Sequence, residues 1–400
     1  MSIIVQKYGG SSVSDVDKLK KIASMVAAVK HQGIDVVVVV SAMGKTTNQL
    51  IDMAKSFSAS PDKRELDMLL STGERITMAM LCIALNDLGI KAISLTGSQS
   101  GIITNDRYND ARVIEIRPFR VQDELAKGKV VVIGGFQGVS YRRDITTLGR
   151  GGSDTSAVAM AAALNAERCE IYSDVDGIYS ADPNIVNDAK HLPELSYQQI
   201  QEMSEAGAKV LNAQAIQFAK ESKIAIYARS TFDDRKETVI RKLESDNKND
   251  VIAVVHEQDI IRVTIKFDDT INSTNEIALL LKQFDFPIKE FNYLKDGHLN
   301  ISKYSFLISK SNIHNWKNIE THLNKTFGDR ISIDEHLAAV SLIGEGFSRD
   351  SKIMIDTFNI LTDNNISIFG VSTTSFRISL LINKDLLIKT TQLLHDHWIK

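Results

Sequence analysis

Lys7-Tyr8-Gly9-Gly10-Ser11-Ser12 and Gly149-Arg150-Gly151-Gly152-Ser153-Asp154-Thr155 carry residue types suited to phosphate chemistry. In the first, two glycines let backbone N–H groups come close to a phosphate. Lys7 adds a full positive charge, and the helical pattern that follows adds the positive end of a dipole. A glycine turn beside a surface lysine would read the same way, so this stretch decides little alone. In the second, three glycines surround Arg150, whose guanidinium can fork onto a carboxylate. Asp154 stands near a helix N-terminus, where a carboxylate is favoured anyway. That explains Asp154 but not three glycines around an arginine. Ser71-Thr72-Gly73-Glu74-Arg75 opens another helix. Thr72 can cap it and Glu74 can complement its dipole, or Glu74 can hold a substrate ammonium. Ser41-Ala42-Met43-Gly44-Lys45-Thr46-Thr47-Asn48 follows a strand, on the side where open α/β sheets bind ligands, although such residues are also ordinary in loops. Ser173-Asp174-Val175-Asp176-Gly177-Ile178-Tyr179-Ser180-Ala181-Asp182-Pro183 follows a strand too; its Asp-Gly marks a turn, and Tyr179 can cover an adenine.

The elements around these stretches alternate. Ser2–Gln6, Ile34–Val40, Ala92–Leu95, Val130–Ile133, Glu170–Ser173 and Ile224–Ala228 read as strands. Helical spacing joins Val16, Leu19, Ile22, Ala23 and Val26. Thr72–Leu88 is apolar almost all round and is expected to be deeply buried. Further helices are expected after Pro118, over Ser153–Asn165, and over Ser196–Glu221 with a break near Gly207. This order implies a mainly parallel sheet with helices on both faces. Residues 231–250 are charged and poor in core residues, and read as a linker. Beyond them the rhythm changes to two βαββαβ units. The second stops one strand short, so Val251–Val255 is expected to fill that edge and interlock the units.

Composition narrows the functions. A net charge of −3 argues against a nucleic-acid surface. No apolar run reaches the ~18 residues needed to span a bilayer, and the N-terminus lacks a secretory pattern. Cys82 and Cys169 sit in apolar stretches and read as reduced core thiols, so the cytoplasm is expected. There is no G-x-x-x-x-G-K-[ST], no protein-kinase H-R-D or D-F-G, no G-x-G-x-x-G, and no zinc-like Cys/His spacing.

In chain order, KYGGSSV, SAMGKTTN, STGER, GFQG (Gly135–Gly138), GRGGSDTSA, SDVDGIYSADP and GAKVLN (Gly207–Asn212) together resemble the motifs of the aspartate kinases. The resemblance covers about the first three fifths of the chain. It implies an α/β fold: a mainly parallel αβα sandwich of the amino-acid-kinase type, followed by two ferredoxin-like βαββαβ ACT modules that bind amino acids. The implied domains are a catalytic one at 1–230, a linker at 231–250, and ACT modules at 251–335 and 336–400. Lys7 and Asp154 would serve catalysis. Ser41, Thr46, Thr47, Glu74, Phe136, Arg150 and Ser153 would hold aspartate, with Arg150 on its α-carboxylate and Glu74 on its ammonium. Lys7, Tyr8, Gly9, Gly10, Ser173, Asp174, Tyr179, Asn184, Lys209 and Val210 would hold ATP. The family often has a basic residue where Asn184 stands, so one phosphate contact is expected to be missing.

The implied reaction turns ATP and L-aspartate into ADP and 4-phospho-L-aspartate, the first step toward lysine, threonine, methionine and diaminopimelate. Aspartate's side chain, with a pKa of about 3.9, is already a carboxylate at neutral pH and needs no general base. Mg²⁺ is expected to arrive with ATP, with no tightly held protein metal site. Lysine is the favoured effector at the tail, and a homodimer or higher homo-oligomer through the ACT modules is expected. The loop Lys266–Ser273 lacks the Gly and Pro frequent there in relatives, whereas Gly344-Glu345-Gly346-Phe347-Ser348 offers a better backbone pocket. With no Met between Met203 and Met354, a separate regulatory product from an internal start near the linker is not expected. A kinase of the same fold for acetylglutamate, glutamate or a nucleotide remains an alternative, disfavoured by STGER and the paired tail. A non-catalytic amino-acid sensor is disfavoured by intact Lys7, Glu74, Arg150 and Asp154. A fused homoserine dehydrogenase is not expected.

Overall fold

A computed structural model describes residues 2–399 except 150, 209, 234–235, 244–249, 268–269, 285–287, 297–300, 311–312, 314–315 and 348–350. The chain forms two units that do not follow sequence order. The first holds Met1–Tyr179, His191–Ser204 and Lys209–Asp246, and the second holds Ser180–Lys190, Glu205–Ala208 and Asn247–Lys400.

In the first unit, β1 (Ile3–Tyr8), α1 (Val16–His31), β2 (Asp35–Val40), α2 (Thr46–Phe57), α3 (Lys63–Leu70) and α4 (Thr72–Asp87) come first. β3 (Ala92–Leu95), β4 (Ile102–Thr104), β5 (Val113–Ile116), α5 (Phe119–Ala126), β6 (Val130–Gly134), β7 (Gln137–Ser140) and β8 (Ile145–Thr147) follow. Then come α6 (Gly152–Ala163), β9 (Arg168–Ser173), β10 (Ile178–Tyr179), β11 (His191–Leu192), β12 (Glu194–Ser196), α7 (Tyr197–Glu205), α8 (Ala213–Ser222), β13 (Ala225–Ser230) and β14 (Glu237–Arg241).

An eight-stranded sheet runs β12-β14-β13-β9-β1-β2-β6-β3. From β13 to β3 every neighbouring pair is parallel. β1 and β2 are covered on both faces, which is why Val36–Val40 is an unbroken apolar run and is buried throughout. β1 lies between β2 and β9, so the chain leaves it in one direction and returns on its other side. That reversal opens a crevice at the carboxyl ends of the strands.

Two expectations are corrected here, and one sheet is added. The linker region 231–250 contains β14, paired antiparallel with β13 and parallel with β12. Alternation in Thr238-Val239-Ile240 carries that strand, with Thr238 and Ile240 buried, despite charged flanks. The helix α4 is not buried all round: Ile76, Met80 and Ile83 lie on an outward face at 54%, 37% and 63% exposure, while Met78, Leu81, Cys82 and Leu85 enter the core. With α3 it makes the one described stretch, Lys63–Asp87, long and apolar enough to pass for a membrane span, and half of that window is buried in the protein. Finally, a second small sheet, β5-β4-β7-β8, escaped the sequence reading because its strands are only three or four residues long.

The second unit contains β15 (Val251–Phe267), α9 (Thr270–Phe284), β16 (Ile288–Asp296), β17 (Ile301–Ser309), α10 (Trp316–Phe327), β18 (Ile331–Gly344), α11 (Lys352–Asp363), β19 (Ile368–Thr373), β20 (Arg377–Asn383) and α12 (Leu387–Trp398). They make one antiparallel six-stranded sheet, β16-β17-β15-β18-β20-β19. Val251–Val255 does not form a separate strand: it is the start of β15, paired with the end of β18. No Gly or Pro interrupts 251–267 or 331–343, so each long strand serves both halves, and register shifts near Glu257–Arg262 mark the junction. Each half keeps its own apolar core beneath its helices.

Cys82 and Cys169 are both buried and unbridged. Burial pushes the Cys82 thiol up to about 12 and the Cys169 thiol higher still, so neither is a thiolate at neutral pH.

Candidate active site

β1 delivers Lys7 to the crevice. The residue is 9% exposed, and its Nζ lies 2.6 Å from Asp154 Oδ1 in the first turn of α6. A carboxylate there faces both the lysine and the positive end of the helix. Gly9 follows closely enough that a Cβ on it would stand 3.5 Å from Lys7 Nζ. The Gly9 N–H is held by Tyr172 O at 3.1 Å, which ties the glycine loop to the end of β9. Among the described residues the N–H groups of Gly10 and Ser11 have no acceptor. Free backbone N–H groups beside a lysine suit phosphate oxygens.

Contacts lead from this pair to Glu74. A Cβ on Gly10 would lie 3.0 Å from Ala42 O, in the loop after β2. The Ala42 N–H donates to Glu74 Oε1 at 3.1 Å. On the other side, a Cβ on Gly134 would meet Glu74 Cβ at 3.4 Å, and one on Gly135 would meet Ser153 Oγ at 3.0 Å. Ser153 precedes Asp154, which closes the circuit back to Lys7. The Glu74 side chain is 2% exposed, and its Oε2 has no partner among the described residues. Burial pushes its carboxyl up from 4.5 to about 7, against the smaller pull of its own N–H and that of Ala42. A half-satisfied carboxylate in such a place is prepared for a cationic ligand.

Ser41 and Thr47 are half-buried on the loop and at the start of α2. Thr46 spends its hydroxyl on Met43 O at 2.7 Å. Phe136 adopts a left-handed conformation, φ 66°, unusual for an aromatic residue. Its N–H donates to Ser156 Oγ at 3.2 Å, and its carbonyl accepts Leu148 N–H at 2.9 Å, so both sides of the residue are fixed. Such strain, worth about 1–3 kcal/mol, collects at functional sites. Arg150 lies outside the described residues. Gly151, beside it, takes φ 71° with its α-carbon against Asn212, where a Cβ would come within 2.8 Å.

The nucleotide residues are less gathered. Ser173 ends β9 and Asp174 follows it, and Tyr179 lies on β10 with its hydroxyl donating to Asp176 Oδ1 at 2.8 Å. Lys236 Nζ stands 5.6 Å from the Tyr179 ring centroid, and His191 meets the ring edge. Val210 is half-buried before α8, and Lys209 lies outside the described residues. Two residues depart from expectation. The Tyr8 side chain is fully buried and stacked on Tyr172 at 4.8 Å, so it is core. Asn184 belongs to the second unit, where its N–H and side-chain amide donate to Asp182 Oδ1, both at 2.9 Å.

Asp67 escaped the sequence reading. It is fully buried on α3 and accepts from Thr147 Oγ1 at 2.5 Å, Thr147 N at 3.0 Å and Asn109 N at 3.0 Å. It thereby fixes the strand that runs into Gly149. An acid at an inward position of an otherwise apolar helix turn was the available signal. Asp67→Ala strands these donors and is expected to cost about 3 kcal/mol, read as a lowered urea midpoint; an unchanged midpoint would show that the clamp carries no stability.

Residues 2–230 match the amino acid kinase family, and residues 332–396 match an ACT domain. The fold and site thus define an amino acid kinase carrying an ACT tail. The aspartokinase of Mycolicibacterium smegmatis is 38% identical over 406 residues, covering 99% of this chain and 96% of that protein. The aspartokinase of Bacillus sp. (strain MGA3) is 39% identical over 410 residues, covering 99% and 97%. A solved structure of E. coli aspartokinase III with aspartate and ADP (R-state) superposes with a TM-score of 0.85 over all of both chains at 22% identity, a likeness of fold. The chain belongs to the aspartokinase family.

Proposed function

We propose that this protein transfers the γ-phosphoryl group of ATP to the side-chain carboxylate of L-aspartate. A carboxylate oxygen bonds to the γ-phosphorus while the bond to the β–γ bridging oxygen breaks, and its electron pair leaves with ADP. MgATP is the phosphoryl donor, the cation offsetting phosphate charge. No group need remove a proton, so catalysis is positioning and charge neutralisation. The observation that carries this reading is the circuit joining the Lys7–Asp154 pair to the half-satisfied carboxylate of Glu74. Lys7 faces the transferring phosphoryl, Asp154 holds the lysine in place, and the Gly9-Gly10 backbone takes phosphate oxygens. Glu74 receives the ammonium and Arg150 the α-carboxylate.

Coupled ADP release, over aspartate, glutamate and N-acetylglutamate, tests the assignment. Release with aspartate alone supports it; release only with another acid, or with none, rejects it. Arg150→Ala is expected to raise the aspartate KM at least about tenfold with the ATP KM little changed. A rise confined to ATP would mean that the substrate and nucleotide halves are exchanged.

The wider reading goes beyond the name that the relatives carry. The reaction opens the route to lysine, threonine, methionine and diaminopimelate in the cytoplasm, and an end product, lysine first among them, binds the tail. A solved structure of E. coli aspartokinase III contains lysine and aspartate in its T-state, which supports lysine as the first effector to assay. The tail pairs with a second copy: the edge strands β16 and β19 expose Phe291, Tyr293, Phe369 and Val371, apolar surface suited to an interface.

A further inference from the structure

Ser180–Lys190 packs within the second unit. Val254 N–H donates to Ser180 O at 2.7 Å, and Gln392 Nε2 donates to Ile185 O at 2.8 Å. Between these anchors stands His395, in the last turn of α12 and 1% exposed. Its Nε2 lies 2.9 Å from Ser180 Oγ, which also accepts the Lys190 N–H at 2.8 Å. Its Nδ1 is buried with no hydrogen-bond partner among the described residues. A nitrogen of this ring and one carboxylate oxygen from each of Asp188 and Asp396 all lie within 4.8 Å of one another.

A buried polar atom without a partner is costly and calls for a reason. Here the orphan belongs to an imidazole beside two carboxylates. We propose that His395, Asp188 and Asp396 bind one divalent cation of the Zn²⁺ or Co²⁺ type. One imidazole and two carboxylates suit such ions, with bonds of about 2.0–2.2 Å. Asp188 and Asp396 are exposed, which leaves their carboxylates free to turn toward an ion, and the Ser180 contact orients the ring. The Ser180 contact is what a metal-bound histidine needs at its other nitrogen: with the proton on Nε2, the Nδ1 lone pair is left for the ion. Water would complete the coordination. Lys190 is exposed and also lies near the ring, so its ammonium must swing away. The ion would tie Ser180–Lys190 to α12. This site is independent of the proposed kinase reaction, and it departs from the expectation of no protein-held metal.

The test uses the full chain, stripped with chelator and kept free of nucleotide. Zn²⁺ alone is titrated by calorimetry, Co²⁺ alone is followed by visible absorption, and thermal unfolding is recorded with and without Zn²⁺. One ion per chain, visible Co²⁺ bands and a raised Tm are expected. The double variant Asp188→Asn/Asp396→Asn, altered only at exposed positions, should lose saturable binding and the Tm rise. Ser180→Ala should weaken binding roughly 10–100-fold. Absence of saturable binding to the unmodified chain, or unchanged affinity in the double variant, would overturn the proposal.

Discussion

Lys7→Met lowers kcat by ~10³-fold, a magnitude typical of removing one preorganised charge from a transition state. The lysine is nearly buried and is held at 2.6 Å by Asp154, so its charge needs no reorganisation when the phosphoryl group moves. The aspartate KM changes little, because the groups assigned to the amino acid are Glu74 and Arg150. Kinetics by coupled ADP release and far-UV circular dichroism together check this. Near-normal turnover in a folded variant would remove the lysine from the mechanism.

Glu74→Gln raises the aspartate KM by roughly a hundredfold, the upper range for losing a hydrogen bond to a charged group in a desolvated site. It leaves the ATP KM alone. The pH dependence is more discriminating. With its folded value raised to about 7, free Glu74 gains a proton as pH falls through that value and then cannot neutralise an ammonium. In the native enzyme, kcat/KM for aspartate therefore falls below about pH 7, and the Gln variant loses this limb. Stability obeys the matching sign. The stabilising contribution of a group whose value is raised on folding is present in acid and is lost as pH rises through about 7. Bound aspartate supplies the missing positive charge and reverses that loss. The Tm gain from aspartate should thus grow from pH 6 to pH 8 in the native protein and stay flat in Glu74→Gln. Equal gains at both pH values in both proteins would remove Glu74 from the ammonium site.

The chemistry was legible in the sequence because it sits in short contiguous stretches whose glycines announce close backbone approach. Lys7 with Gly9-Gly10 and Asp154 after Gly151-Gly152 each admit a bland reading alone, and it is the set of motifs that points to a ligand; the structure brings Lys7 and Asp154 into contact. Glu74 could be read as a dipole partner or a ligand, and only its buried, unpartnered Oε2 separates the two. Asp67 shows a different limit: an acid in an apolar helix turn marks the position, but its partner Thr147 is 80 residues away, and local pattern carries no information about so distant a contact. Tyr8 shows the converse error. It adjoins the phosphate loop in sequence, but strand alternation turns its ring into the core.

In the tail, the helical and strand periods were clear but strand limits were not. The strand expected at Val251–Val255 continues to Phe267, across the polar pair Gln258-Asp259, and β18 likewise runs through Glu335-His336, since polar residues at a bulge need not end the ladder. The strand β14 was lost among charges because its buried positions are only Thr238 and Ile240. The assignment of Ser180–Lys190 to the second unit depends on contacts with Val254, Gln392 and His395, all far along the chain.

The most direct measurement of the central claim is hydroxylamine trapping of the product. Purified protein is incubated with MgATP, L-aspartate and hydroxylamine, and the mixture is examined by mass spectrometry. An acyl phosphate on the side chain would be captured as the β-hydroxamate of aspartate, formed in step with ADP and absent with Lys7→Met. ADP release without that hydroxamate, or hydroxamate formation undiminished in the Lys7 variant, would contradict the account.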